Sequence, residues 1–102
     1  MKLRLAIVGC IVASNVLARP MTEKESIKFF AGHKICQAST DSFAFYGSDG
    51  KRWGYNHITK EKWGPSKYWI THDGKVRGKV NVLEPEITGD GVYGRGARIY
   101  QC

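Results

Sequence analysis

Three histidines, His33, His57 and His72, are the candidate proton carriers of this chain. A metal-free ribonuclease needs a base (a carboxylate or a histidine), a second histidine as acid, and Arg or Lys on the phosphate. His57, His72 and Glu61, with Arg77 and Lys79, supply those residue types. They meet only if the two central hairpins face each other, and no spacing enforces that. Histidines on strands are more often surface or core residues, so ribonuclease chemistry stands second to binding. Nucleophilic catalysis has less behind it, because there is no GxSxG. Gly94 and Gly96 sit inside a strand signal with no helix after them, so they form no phosphate cradle. No CxxC, HxxxH or carboxylate cluster is present, and neither a metal nor a cofactor is expected.

Binding chemistry is better represented. The chain carries a net charge of +7. Between Lys51 and Lys79 lie Lys51, Arg52, Lys60, Lys62, Lys67, Lys75, Arg77 and Lys79, against Glu61 and Asp73. Trp53, Tyr55, Tyr68 and Trp69 are interleaved with them. Aromatic faces mixed with Arg and Lys are the elements of protein hot spots and of single-stranded nucleic-acid binding. The expected binding residues are Arg52, Trp53, Lys67, Trp69, Arg77 and Lys79, and the expected partner is a protein. Nucleic acid or another polyanion is the alternative. Two plainer readings compete: net charge also serves solubility, and one aromatic row must build the core, since half of a sheet's side chains point inward.

The cysteines speak to compartment. Lys2 and Arg4 precede an apolar run from Leu5 to Val12, and Val16-Leu17-Ala18 resembles a signal-peptidase site. The expected signal peptide is 1–18, leaving a single secreted domain over 19–102 with no transmembrane span; the apolar stretch is too short to cross a bilayer. Ile7-Val8-Gly9-Cys10 also fits a bacterial lipoprotein box by residue type. That leaves open a periplasmic or lipid-anchored protein with Cys10 acylated. Without Cys10, Cys36 and Cys102 remain and admit one disulfide. Closing so long a loop stabilises by about 4 kcal/mol on the chain-entropy model.

The elements that must position these groups follow from turn signals. Phe45 to Gly54 and Trp69 to Gly78 share one template: aromatic, three residues, Asp-Gly-Lys, two residues, Gly. Asp-Gly predicts a type I′ hairpin turn, with positive φ at both central residues. Asp90-Gly91 is a third candidate. Thr22 and Glu25 have capping-box spacing, so a helix is expected over about Thr22 to Ala31, laying Ile27 and Phe30 on a sheet. Strands are expected at Lys34 to Ala38, Phe43 to Tyr46, Arg52 to Ile58, Lys67 to His72, Lys75 to Leu83 and Val92 to Gln101. Thr59 to Ser66 reads as a polar connection with Trp63 folded back on the core, and Glu84-Pro85-Glu86 as a strand break. The predicted fold is mainly β: a small antiparallel β-sandwich or barrel of about six strands with one short N-terminal helix.

This plan of leader, short mature chain, about six strands and one disulfide starting at Cys36 resembles the ToxB-like (MAX) effectors. These are small secreted β-sandwich proteins of plant-pathogenic fungi. The resemblance spans Gly32 to Cys102 and has no diagnostic motif, so it transfers no functional residue. It implies a non-catalytic virulence protein that binds a host target.

Overall fold

Both Asp-Gly-Lys copies reverse the chain in the same way. Gly50 donates to the Gly47 carbonyl at 3.1 Å, and Gly74 to the Thr71 carbonyl at 3.0 Å. Gly50 and Gly74 each have φ of +83°, while neither Asp49 nor Asp73 is among the residues with positive φ. The turns are therefore type I followed by a left-handed glycine, and not type I′ as expected; the extra residue is a bulge that re-aims the returning strand. The two-residue turn with positive φ at both centres falls elsewhere, at Arg95 (φ 54°) and Gly96 (φ 79°).

The computed structural model describes residues 18–102. Residues 1–17, which include Cys10 and nearly all of the expected leader, lie outside the described residues. In chain order the elements are β1 (Arg19–Pro20), α1 (Glu23–Phe30), β2 (His33–Gln37), β3 (Phe43–Tyr46), β4 (Lys51–Asn56), β5 (Glu61–Ile70), β6 (Val76–Gly78), β7 (Val82–Leu83), β8 (Glu86–Thr88), β9 (Gly91–Gly94) and β10 (Ala97–Gln101). All strands join one antiparallel sheet in the order β1-β8-β9-β10-β2-β3-β4-β5-β6-β7, curled into a half-barrel. Among the described residues the fold is mainly β with one helix, but ten strands replace the expected six and no second sheet is packed on the first.

The additional strands have local causes. Lys75 to Leu83 is not one strand, because Gly78 donates to Asn81 and folds the segment back. Val80 is left at that turn, 88% exposed, although the period-two alternation Val76, Gly78, Val80, Val82 puts it on the side of the buried Val76. Val92 to Gln101 splits at Arg95-Gly96, and the expected polar connection before Ser66 is instead the first half of β5. The break at Pro85 is as read: β7 ends at Leu83 and β8 begins at Glu86.

The core lies in the curl. Phe30, Ile35, Tyr46, Tyr68, Val76 and Met21 are buried together, with Ile70, Leu83, Ile87, Val92 and Ile99 packed around them. Thr22 caps α1 through the expected box with Glu25. Phe30 is fully buried, with its ring 4.9 Å from that of Tyr46. Ile27 does not join it and is 47% exposed. Ser26 takes the buried position instead, its hydroxyl donating to the Gly74 carbonyl at 2.5 Å. Cys36 and Cys102 form the expected disulfide with Cα atoms 5.9 Å apart, tying the chain end across β2.

Candidate functional site on the two faces of the sheet

Register decides which predicted residues meet. On β4 the burial alternates, with Arg52 and Gly54 buried and Lys51 and Trp53 exposed. Phe45 pairs with Trp53, Phe43 with Tyr55, Lys34 with Phe45 and Lys51 with Lys67. Trp69 pairs with Arg77, and Tyr55 with Lys62. Directly opposed residues point to the same side. The outward row across β2 to β6 is therefore Lys34, Cys36, Phe43, Phe45, Lys51, Trp53, Tyr55, Lys62, Lys67, Trp69 and Arg77. Lys62 and Lys67 share a side because the register shifts between Arg52 and Gly54.

This convex face is aromatic at its centre. The Phe43 and Trp53 rings meet edge to face at 5.9 Å, and Phe43 stacks on Tyr55 at 6.2 Å. Lys34 Nζ sits 4.4 Å over the Phe43 ring. Trp53 and Trp69 remain 43% and 48% exposed. The outward positions of β2 to β6 hold no Asp or Glu; Glu61 falls on the other parity at the outer end of β5. The ion pairs of the described residues lie elsewhere: Arg19 with Glu25, His72 with Glu23, and Lys75 with Asp73 and Glu84.

The structure thus gathers Trp53, Lys67, Trp69 and Arg77 on one surface. Lys79 lies beside them in the exposed turn after β6. Arg52 does not belong to that set. It points to the concave side, is 8% exposed, and donates from Nη2 to Asn81 Oδ1 at 2.6 Å. Arg52 and Trp53 were both expected at the binding surface, but as adjacent strand residues they face opposite sides, and the Phe43 and Phe45 pairs hold Tyr55 and Trp53 on the convex one. Trp63, read as a core plug, also faces inward, its ring lying over Gly54.

The histidines are not brought together. His57 follows β4 before the turn into β5, and His72 lies beyond the far end of β5. Ten residues of strand separate those ends by roughly 30 Å at the usual rise. The Ser42 hydroxyl accepts from the His57 amide at 2.9 Å and lies 2.5 Å from its Nδ1, so this side chain fastens a turn. His72 is fully exposed against Glu23, and His33 is half-buried at the start of β2. Glu61 is near the His57 end only. No three His, Cys, Asp or Glu side chains converge on a metal position among the described residues. No described helix is long and apolar enough to cross a membrane.

The second feature is a cleft of about 440 Å³ on the concave side. Arg52, Asn81, Trp63, Ser66, Tyr46 and Arg95 line it, among others, and no Asp, Glu or Lys does. The Arg52 guanidinium lies 5.9 Å from both the Tyr46 and Trp63 ring centres. Burial pushes the Tyr46 phenol above its ordinary pKa, opposed by the charges of Arg52 and Arg95. Arg95 donates from Nη2 to the Val82 carbonyl at 3.2 Å, which joins the β9–β10 turn to the terminal strand β7. Sequence reading missed the cleft; the available signal was Arg52 standing in the first template where the second has Val76.

No protein-family model, curated protein or solved structure matches this chain.

Proposed function

We propose that this is a secreted, non-catalytic binding protein that docks onto an acidic protein surface through its convex aromatic-basic face. One observation carries the reading: the outward positions of β2 to β6 hold five cations and five aromatics with no carboxylate among them. Lys51 stands directly opposite Lys67. Like charges in that arrangement destabilise a sheet, so folding does not account for the pair, while an acidic partner would. Exposed Trp beside Arg or Lys is the composition of binding hot spots. The wide separation of His57 from His72 weighs against the histidine-pair ribonuclease alternative. Secretion rests on the leader-like sequence and the disulfide, and a virulence role on resemblance of plan alone.

The test titrates the oxidised protein with a labelled poly-glutamate peptide and, separately, a single-stranded RNA, at low and at physiological salt. RNA integrity is recorded throughout. Saturable peptide binding is expected, abolished by K67E/R77E and weakened by W53A/W69A in variants with unchanged circular dichroism. Stronger RNA binding with the same sensitivity moves the partner to nucleic acid. Cleavage of the RNA that disappears in H57A/H72A overturns the non-catalytic reading.

A further inference from the structure

The concave cleft is distinct from the exposed tryptophans and lysines of the convex face, although Phe43 and Tyr55 also contribute to its lining, and Arg52 is its unusual component. Moving a guanidinium out of water costs several kcal/mol unless a counter-charge or a full set of hydrogen bonds replaces the solvent. Here neither does. Nη2 has the neutral Asn81 carbonyl, and Nε is buried with no hydrogen-bond partner. No carboxylate pairs with Arg52 among the described residues. The rings of Tyr46 and Trp63 offset part of the cost through their π faces, and they leave the charge unneutralised.

The surroundings are built for this group. Gly78 gives it room, because a Cβ there would run into Arg52 Nη2 and stand 2.9 Å from Asn81 Oδ1. The corresponding position in the second hairpin shows what the core alone requires: Val76, fully buried. The first hairpin thus replaces an aliphatic core residue with a cation at the wall of an open cleft. Arg95 adds a second guanidinium to the lining, while Leu83 and Ile99 supply apolar wall.

We infer that the cleft binds a small organic anion, its oxyanion headgroup on Arg52 and its apolar body along Trp63 and Leu83. Arg is the side chain suited to such headgroups, because its planar fork donates two parallel bonds to carboxylate or phosphate oxygens. The occupant would supply the counter-charge to a cation already largely desolvated, so only part of the desolvation cost falls on binding.

The experiment uses the oxidised full chain with octanoate, octyl phosphate and octanol as probes. It follows tryptophan fluorescence and the ¹⁵N–¹H resonance of Arg52 Nε. One of the two anions is expected to bind about ten-fold or more tighter than octanol, the discrimination of one charge-assisted hydrogen bond, and to shift that resonance. Preference between octanoate and octyl phosphate identifies the headgroup. R52Q is expected to erase the discrimination. S66E, which keeps Arg52 and places a carboxylate at the residue directly opposite it, is expected to fold, raise the melting temperature and block both anions. K67E/R77E, on the other face, is expected to leave anion binding unchanged, which separates this result from the convex-face test. Equal affinity for octanol and the anions, absence of binding by all three probes, or undiminished anion binding in S66E overturns the proposal.

Discussion

At the scale of single residues, the glycines that close the two templates do equivalent work. Gly54 and Gly78 both lie on the concave side, and each makes space for an inward side chain: Trp63 of the adjacent β5 over Gly54, and Arg52 of β4, two strands away, over Gly78. A Cβ on Gly54 would collide with the Phe43 carbonyl and come within 2.7 Å of Trp63 Cζ2. Backbone on one side and a packed indole on the other leave no route for relief. Gly54→Ala is expected to destabilise by about 3 kcal/mol, the upper end of ordinary overpacking, measured by urea unfolding. Glu25 makes a prediction of a different kind. The Arg19 guanidinium, and then the Thr22 amide, lower its carboxyl from 4.5 to about 2. A depressed value in the folded state means stabilisation present above the ordinary value and lost as pH falls through the folded one. The melting temperature of the native protein should therefore exceed that of Glu25→Gln above pH 4.5, and the gap should close as pH falls toward 2. A gap that persists or widens at low pH would contradict the assignment.

At the scale of elements, α1 and the disulfide hold the sheet at two separate places. α1 puts Phe30 against Tyr46 and Ser26 against the Gly74 carbonyl, so it seals the interior near the second template turn. The disulfide acts at the other margin of β2, where β10 pairs with it. Its bond spans 66 residues, and removing it frees the unfolded chain. Cys36→Ser with Cys102→Ser is expected to cost about 4 kcal/mol on the loop-entropy model. Chemical denaturation of the two proteins, with and without reductant, checks this; reductant should alter only the native protein. The hairpins show why turn chemistry outweighs the dipeptide signal. Type I′ needs positive φ at both centres, and an aspartate enters that region less readily than glycine. Asp49 instead accepts from the Lys51 amide at 3.1 Å, and Asp73 bonds the Thr71 hydroxyl. These side-chain bonds stabilise the longer loop.

At the scale of the molecule, curling gives the sheet two chemically different sides. The convex side spreads Lys34, Lys51, Lys62, Lys67 and Arg77 around an aromatic centre. The concave side holds the apolar core and, toward one opening, the Arg52 cleft. A partner on the convex face meets charges that remain hydrated, so its affinity should fall steeply with salt. A ligand in the cleft meets a charge already largely removed from water, so its affinity should depend far less on salt. Titrating poly-glutamate and octanoate across one salt series tests this contrast; equal slopes would mean both probes use the same surface. The sheet does not close by backbone pairing. Arg95 on Val82, and the Leu83 side chain against Gly94, join the terminal strand β7 to β9 and its turn through side chains.

Much of the local plan was legible in the chain itself. The capping box at Thr22 and Glu25, the strand at Phe43 to Tyr46, the break at Pro85 and the pairing of Cys36 with Cys102 all follow from short-range chemistry: a spacing, an alternation, a missing amide, and two cysteines once Cys10 is set aside with the expected leader. What sequence could not decide was which alternating row faced inward. Trp53 and Tyr55 are as apolar as any core residue, and Arg52 and Gly54 are not. Only cross-strand register, with Phe43 and Phe45 holding the aromatics outward and Gly78 and Asn81 receiving the guanidinium inward, turned Arg52 to the interior. The same dependence hid the true strand number, because Val80 continues a perfect alternation and is expelled only when Gly78 bonds Asn81. Periodicity reports that two sides differ; long-range packing selects the one that is buried, since burial is a property of neighbours distant in sequence.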